Sequence, residues 1–317
     1  MVAYNCKSPI LFLTFNRLDT TKEVLKQITL VKPPKIYLAS DGPRDKIDSF
    51  GIKEIDKVNE VRDFLISHIS WDCEIKTRFL SKNNGCKKAV SSAIWWFFEN
   101  EESGIILEDD CFPSISFFRF CDEMLEKYKD NEKIFMISGW SAFDFDKKAK
   151  DSIKQSYYFS KYNHIWGWAS WRRAWSKYEL ENENFINDFN KINFDSKKEK
   201  IEYKKVLSAY FRGEIDTWDY PWSFSIWKND GLCIYPKDNM IKNIGFNRDD
   251  ATHTTGESKY QNMPIYEIDF PLNHPQKIER NKNLDMANYK IIASPNIFKR
   301  IINKIKKYII KIKTKDS

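Results

Sequence analysis

Apolar runs of strand length alternate with stripes at helical spacing along the first 140 residues. Pro9 to Phe15 is a continuous apolar run. After Asn16-Arg17 comes a helical stripe from Thr21 to Ile28, which Asp19 or Thr20 is placed to cap. Lys35 to Ser40 predicts a second strand, ending in Asp41-Gly42-Pro43-Arg44-Asp45. Val58, Val61, Phe64, Leu65 and His68 share a helical face. Cys73 to Phe79 alternates as a third strand, and Asn83-Asn84-Gly85 leads into an aromatic-rich helix from Lys87 to Phe98. A buried strand, Gly104-Ile105-Ile106-Leu107, runs into Glu108-Asp109-Asp110. An amphipathic helix from Ser114 to Tyr128 and a strand from Lys133 to Ser138 follow. This alternation predicts an α/β fold, a doubly wound and largely parallel sheet.

Beyond residue 140 the pattern is less regular and richer in aromatics. Glu181 to Lys204 is charged and helical by spacing. From Asn296 onward the pattern changes again: Phe298, Ile301, Ile302, Ile305, Tyr308, Ile309 and Ile312 share one helical face, with lysines elsewhere around it. A basic amphipathic helix of this kind suits an anionic membrane surface, and it suits docking on its own domain as well.

Composition narrows the picture. Forty-two percent hydrophobic content with 15% aromatic supports a packed core in a chain of 317 residues. The formal charge of +7 comes from the end of the chain. From Lys299 onward there are eight basic residues and one acid, and the remainder balances at 44 of each sign. The chain therefore carries no nucleic-acid footprint. No apolar run reaches the ~18–20 residues that span a bilayer, and the N-terminal residues do not read as a signal peptide. Six cysteines lack metal or disulfide spacing and read as reduced thiols. The expected location is cytoplasmic, peripheral on the inner face of the cell membrane. There is no GxGxxG and no GxxxxGK[ST].

Three constellations carry candidate chemistry. Glu108, Asp109 and Asp110 emerge at the carboxyl edge of the predicted sheet, where open α/β sheets bind ligands. Clustered carboxylates repel, and a divalent cation, Mn²⁺ or Mg²⁺, relieves that repulsion and suits a diphosphate. Trp166, Trp168 and Trp171 lie within six residues, with Gly167 between the first two. Indoles suit the apolar faces of sugars, and a buried aromatic seam is the alternative; Trp171 reads as core. Glu214 to Trp222 holds Asp216, Trp218 and Asp219, and either aspartate is a candidate base for an acceptor hydroxyl. Arg17 and Asp41 follow the first two strands, placed for a phosphate or base and for a ribose hydroxyl or ring N–H. Asn84 and Gly85 open a helix whose N–H groups can meet a diphosphate. His253 lies in a Gly/Asp-rich loop running to Gly256, suited to close over a ligand.

The segments Leu11-Phe12-Leu13-Thr14-Phe15-Asn16-Arg17, Ser40-Asp41-Gly42, Asn84-Gly85, Ile106-Leu107-Glu108-Asp109-Asp110 and Ile137-Ser138-Gly139-Trp140 together resemble the donor-binding half of a GT-A glycosyltransferase. The closer resemblance is to the N-acetylglucosaminyltransferase I type and its bacterial relatives, with a Glu-Asp-Asp metal motif, over roughly residues 8 to 255. The resemblance implies a Rossmann-like single domain with a mostly parallel central sheet, with a nucleotide-sugar half (1–140) and an aromatic-rich acceptor and catalytic half (141–270); the sequence pattern adds a linker (271–295) and the basic helix (296–317). It implies Asp110 as the metal ligand. It places Glu108, Asp109, Arg17, Asp41, Asn84, Gly85, Trp166, Gly167, Trp168 and His253 on the donor, Trp218 and Asp216 on the acceptor, and Asp219 as base. The implied activity is inverting transfer from a UDP-sugar to a hydroxyl of a glycan; the cytosolic character and the basic terminal helix suggest a lipid-linked acceptor, in bacterial surface polysaccharide synthesis. A sugar-nucleotide pyrophosphorylase and a non-catalytic carbohydrate-binding protein are the rival readings. A pyrophosphorylase needs a Gly-rich loop where this chain has Asn16-Arg17-Leu18-Asp19.

Overall fold

A computed structural model of the protein describes residues 4–246, 248 and 258–292. His253, the loop around it and the basic segment 296–317 lie outside the described residues. The first half alternates as its pattern predicts: β1 (Ile10–Thr14), α1 (Leu18–Val31), β2 (Lys35–Ser40), α2 (Glu54–His68), β3 (Glu74–Phe79), α3 (Gly85–Asn100) and β4 (Ser103–Glu108). A short β5 (Cys111–Pro113), α4 (Ile115–Lys127) and β6 (Ile134–Ser138) follow. Neither Asp19 nor Thr20 caps α1. The helix starts earlier, with Arg17 at the N-cap position and no side-chain cap bond.

Eight strands form one sheet in the order β3-β2-β1-β4-β8-β6-β9-β7. Its later members are β7 (Tyr157–Ser160), β8 (Trp168–Trp171) and β9 (Leu232–Pro236). Six strands run the same way; β8, between β4 and β6, and the edge strand β7 run against them. The sheet is thus mostly parallel, and it crosses the expected boundary at residue 140. The two halves share one sheet and one hydrophobic core.

Both faces are covered, which is why β1, β6 and β9 are buried at every position. α1, α2 and α4 pack on one face. On the other lie α3 and α6 (Arg172–Trp175), with α9 (Asp219–Lys228) reached through an aromatic cluster. Between them the chain adds α5 (Lys147–Ser152), α7 (Phe185–Lys191) and α8 (Lys197–Phe211), the last two packed on α9. The charged stretch 181–204 is therefore parts of two helices, broken at Ile192–Ser196. A short β10 (Ile241–Asn243) pairs antiparallel with β5.

The stretch expected as a linker, 271–295, is part of the domain as far as residue 292. It carries α10 (Lys282–Ile292), packed on β7. Arg280 pairs with Asp285 and Asp195, and the buried Asp285 carboxylate accepts from Ser160 Oγ at 2.6 Å and from the Lys161 N–H at 3.2 Å. A linker would not bury a carboxylate against the sheet edge. All six cysteines are free. Among the described residues no helix is long and apolar enough to cross a membrane.

Candidate active site

Strand order reverses beside β1: the chain steps from β1 to β2 and β3, then returns to β4 on the other side. A crevice opens at the carboxyl ends of the strands at such a point. Arg17 and the acids 108–110 meet there. Arg17 Nη1 lies 3.1 Å from Asp110 Oδ2 and 3.7 Å from Asp109 Oδ1. Both aspartates are buried, and Glu108 Oε1 is closed off from solvent with no hydrogen-bond partner. Burial and then Asp110, Asp109 and Asp219 push the Glu108 carboxyl up to about 8, with Arg17 opposing. Burial pushes Asp109 up to about 7; Arg17 opposes it and Asp110 adds to it.

The loop after β4 is fixed from the far side. β10 pairs with β5, Asn243 opposite Cys111, and the Ile244 N–H donates to the Asp110 carbonyl at 2.8 Å. Gly245 lies directly against the Asp110 carboxylate, so that a Cβ there would collide with Oδ2. Among the described residues no three His, Cys, Asp or Glu side chains are already grouped to hold a metal ion. The donor set is nonetheless of the right kind: hard carboxylate oxygens, one of them orphaned, in excess over the nearby cations.

Asp219 belongs to the same cluster. Glu108 feels both Asp110 and Asp219, and the Cys86 thiol is pushed up by burial and then by Glu108, Asp219, Asp216 and Asp41. Four acids from three separate segments thus act on one thiol in the first turn of α3. Asp219 opens α9, and Thr217 Oγ1 donates to its Oδ1. The preceding carbonyl, of Trp218, accepts from Tyr178 OH at 3.1 Å.

Several expected ligand contacts are structural instead. Trp168 is fully buried in β8, and Trp218 is 2% exposed; the two stack at 5.6 Å between centroids. Trp175 and Trp222 pack beside them. Glu108 and Trp168 lie on one face of the sheet, because Ile106 pairs with Trp168 and Glu108 is two residues on. These indoles are buried against one another and offer no surface to a sugar. Gly167 has φ +61°, and a Cβ there would run into Ile241, so its role is in the backbone. Trp166 stays half-exposed, set edge-on to Phe246, Trp140 and His164. His164 stacks on Trp140 at 3.7 Å; its Nδ1 is enclosed without a partner, and burial pushes the imidazole down to about 3.

Asp41 is also taken up internally. Its Oδ1 accepts from the N–H groups of Gly42 (2.8 Å) and Asn84 (2.9 Å), and its Oδ2 from Asn83 Nδ2 (3.0 Å) and the Gly85 N–H (3.1 Å). Four bonds fill a carboxylate, leaving nothing for a ribose or a base. The same bonds consume the Asn84 and Gly85 N–H groups that a diphosphate was expected to meet. Asp216 accepts from the Lys87 N–H at 3.1 Å and lies against Gly85, capping α3 from across the chain.

Sequence reasoning did not single out Cys86, Thr217 or a cluster beside β1. In that cluster buried Glu54 accepts from the Arg44 N–H (2.6 Å), from Arg44 Nε (2.9 Å) and from Asn16 Nδ2 (3.2 Å), and also pairs with Arg44 Nη2. An Arg and a Glu ten residues apart across a turn carry no signal in the sequence.

No family model matches the chain, and no curated protein matches it. Among solved structures it is similar to GalNAc-T7 crystallised with UDP, GalNAc and Mn²⁺, at a TM-score of 0.42 and 12% identity, over 74% of this chain and 43% of that one. It therefore spans less than half the length of that protein. It is similar to the galactosyltransferase LgtC in complex with donor and acceptor sugar analogues, at a TM-score of 0.35 and 10% identity, over 75% and 74% of the two chains. A third likeness, to HddC from Yersinia pseudotuberculosis, has a TM-score of 0.33 and 9% identity, over 59% and 87%. Likenesses this distant assign no function, and the site's own chemistry has to carry it.

Proposed function

We propose that the protein is a metal-dependent, inverting glycosyltransferase. It would move a sugar from a nucleoside diphosphate, UDP in the first instance, to a hydroxyl of a glycan or lipid-linked acceptor in bacterial surface polysaccharide synthesis. The observation that carries this reading is a buried surplus of carboxylates at the sheet's carboxyl edge. Glu108, Asp109 and Asp110 follow one another there, Arg17 pairs with two of them, and the half-buried Asp219 adds its charge to Glu108. Such a cluster is unfavourable unless a cationic ligand completes it.

Asp110 and the orphaned Glu108 Oε1 are the oxygens that would hold Mn²⁺ or Mg²⁺, whose bound charge stabilises a departing diphosphate. Arg17, now on Asp110 Oδ2, is within reach to turn toward phosphate oxygens. Asp109, 3.7 Å from Arg17, is the proposed nucleoside contact. Glu108 and Asp219, whose charges act on each other, are proposed for the sugar and the acceptor. Asp219 is the proposed base: the Thr217 hydroxyl engages one carboxylate oxygen, leaving the other to take the proton of an attacking hydroxyl. Half-exposed Trp166 remains the proposed sugar-stacking ring, and His253 a proposed donor contact.

The test is release of UDP from a panel of UDP-sugars with and without Mn²⁺. Turnover that requires the cation and vanishes in Asp110→Ala supports the reading, and inverted anomeric configuration in a transferred product supports the mechanism. Cation-independent turnover, or none with any donor, removes it. Membrane attachment through 296–317 rests on the sequence pattern.

A further inference from the structure

We infer that Arg44, clamped by Glu54 above the ring of Phe15, is the residue that selects the nucleobase of the donor. This rests on the nucleotide-sugar reading and adds to it, since the residues expected to read the nucleoside do not do so. The Asp41 carboxylate is filled by four bonds from its own loop, and Arg17 is turned toward Asp109 and Asp110.

The Arg44 cluster has the geometry that this vacancy requires. The guanidinium sits 5.3 Å from the Phe15 ring centroid, and its side chain is 37% exposed. Nε and Nη2 are held by Glu54, whose side chain is 7% exposed and which also takes the Arg44 N–H and Asn16 Nδ2. Burial alone would raise the Glu54 carboxyl; the Arg44 bonds outweigh it and hold the group below its ordinary value, so the clamp stays ionised. Among the described residues this leaves the Nη1 edge of a fixed, planar cation facing outward. A buried carboxylate that immobilises an exposed arginine in this way prepares it for a planar partner, because little side-chain freedom remains to be lost on binding.

The position is also right. Phe15 follows β1 directly and Asp109 follows β4, whose Glu108 pairs with Leu13 of β1, so the two strand ends lie side by side, with Arg17 beside Asp109 and Asp110. Arg44, Phe15, Asp109 and Asp110 therefore form one continuous line from the end of β2 to the end of β4. A base on Arg44 and Phe15, a ribose beside Asp109 and a diphosphate at Asp110 and Arg17 follow that line in order. Arginine offers donors only; the two bases share the O2 acceptor and differ at ring position 4, so Nη1 set against that position favours the carbonyl of uracil over the amino group of cytosine.

The experiment measures binding of UDP, CDP and inorganic pyrophosphate to the full chain in Mn²⁺, for wild type, Arg44→Ala and Phe15→Leu. Phe15→Leu keeps the backbone N–H and most of the volume but removes the ring. Arg44→Ala is expected to weaken UDP by about tenfold or more, the weight of one charge-assisted contact. It should also erase the preference over CDP and leave pyrophosphate within about twofold of wild type. Phe15→Leu should weaken both nucleotides by a similar factor, with pyrophosphate again unmoved. Equal losses for UDP and pyrophosphate would show that Arg44 supports the phosphate site or the fold, and would overturn the inference. So would unchanged UDP affinity, or a wild type that binds pyrophosphate no less tightly than UDP. A wild type that binds none of the three removes the nucleotide-sugar reading itself.

Discussion

Glu108 is the residue on which burial and repulsion act most directly. Its ordinary value is 4.5 and its folded value about 8, raised by burial and by Asp110, Asp109 and Asp219. The folded state therefore keeps a proton that the unfolded chain has already lost across that window. The associated stability is fully present below about pH 4.5 and is gone once pH has risen past about 8. Ligand-free protein should lose on the order of a few kcal/mol over that range, and Glu108→Gln should flatten the slope in urea titrations at a series of pH values. A slope unchanged by the substitution would mean that Glu108 does not hold the proton. Gly245 gives a second test at this scale. Because a Cβ would meet Asp110 Oδ2, Gly245→Ala should cost about 1–3 kcal/mol by overpacking and weaken Mn²⁺ binding at least as much as it weakens the fold. Ordinary Mn²⁺ affinity in that variant would argue against Asp110 as the ligand. The acids at 108–110 were legible because a β-branched run ending in three carboxylates is rare chemistry for a buried strand end. The roles of Asp41, Trp168 and Trp218 were not, because a residue type does not reveal which backbone N–H or neighbouring ring will occupy it first.

α3 is the element that joins separate parts of the chain at the site. Its first turn is held by two carboxylates from elsewhere, Asp41 and Asp216, which tie the β2 loop and the stretch before α9 to one helix. Asp41→Ala should therefore destabilise the protein by about 1–3 kcal/mol, as unpaired N–H groups are left behind. Pyrophosphate binding should survive at denaturant concentrations well below the transition. Unchanged stability with lost nucleotide binding would restore Asp41 as a direct ligand contact. The elements β1 to β4 and their helices were readable because each is a long periodic segment bounded by polar turns. β7 and β8 were not, being four-residue strands in an aromatic stretch whose alternation is masked by aromatic rings facing both ways. α10 was missed because a charged surface helix that buries one aspartate resembles a linker in composition.

Over the whole molecule, charge is divided between a balanced body and a basic end. If residues 296–317 bind anionic lipid, the full chain should sediment with phosphatidylserine vesicles at low salt. A chain ending at residue 292 should stay in the supernatant with its catalytic properties intact; equal sedimentation of the two would assign the contact to the folded body instead. The fold as a class was legible because alternation of strands and helices constrains topology strongly. The joining of both halves in one sheet was not, since strand order across β4-β8-β6 depends on pairings far apart in the chain. The most direct measurement is calorimetric titration of UDP into wild type and Asp110→Ala, each with and without Mn²⁺. The expected result is binding in wild type that strengthens by about tenfold or more with the cation, and loss of that difference in Asp110→Ala. UDP affinity indifferent to both the cation and the substitution would contradict the account.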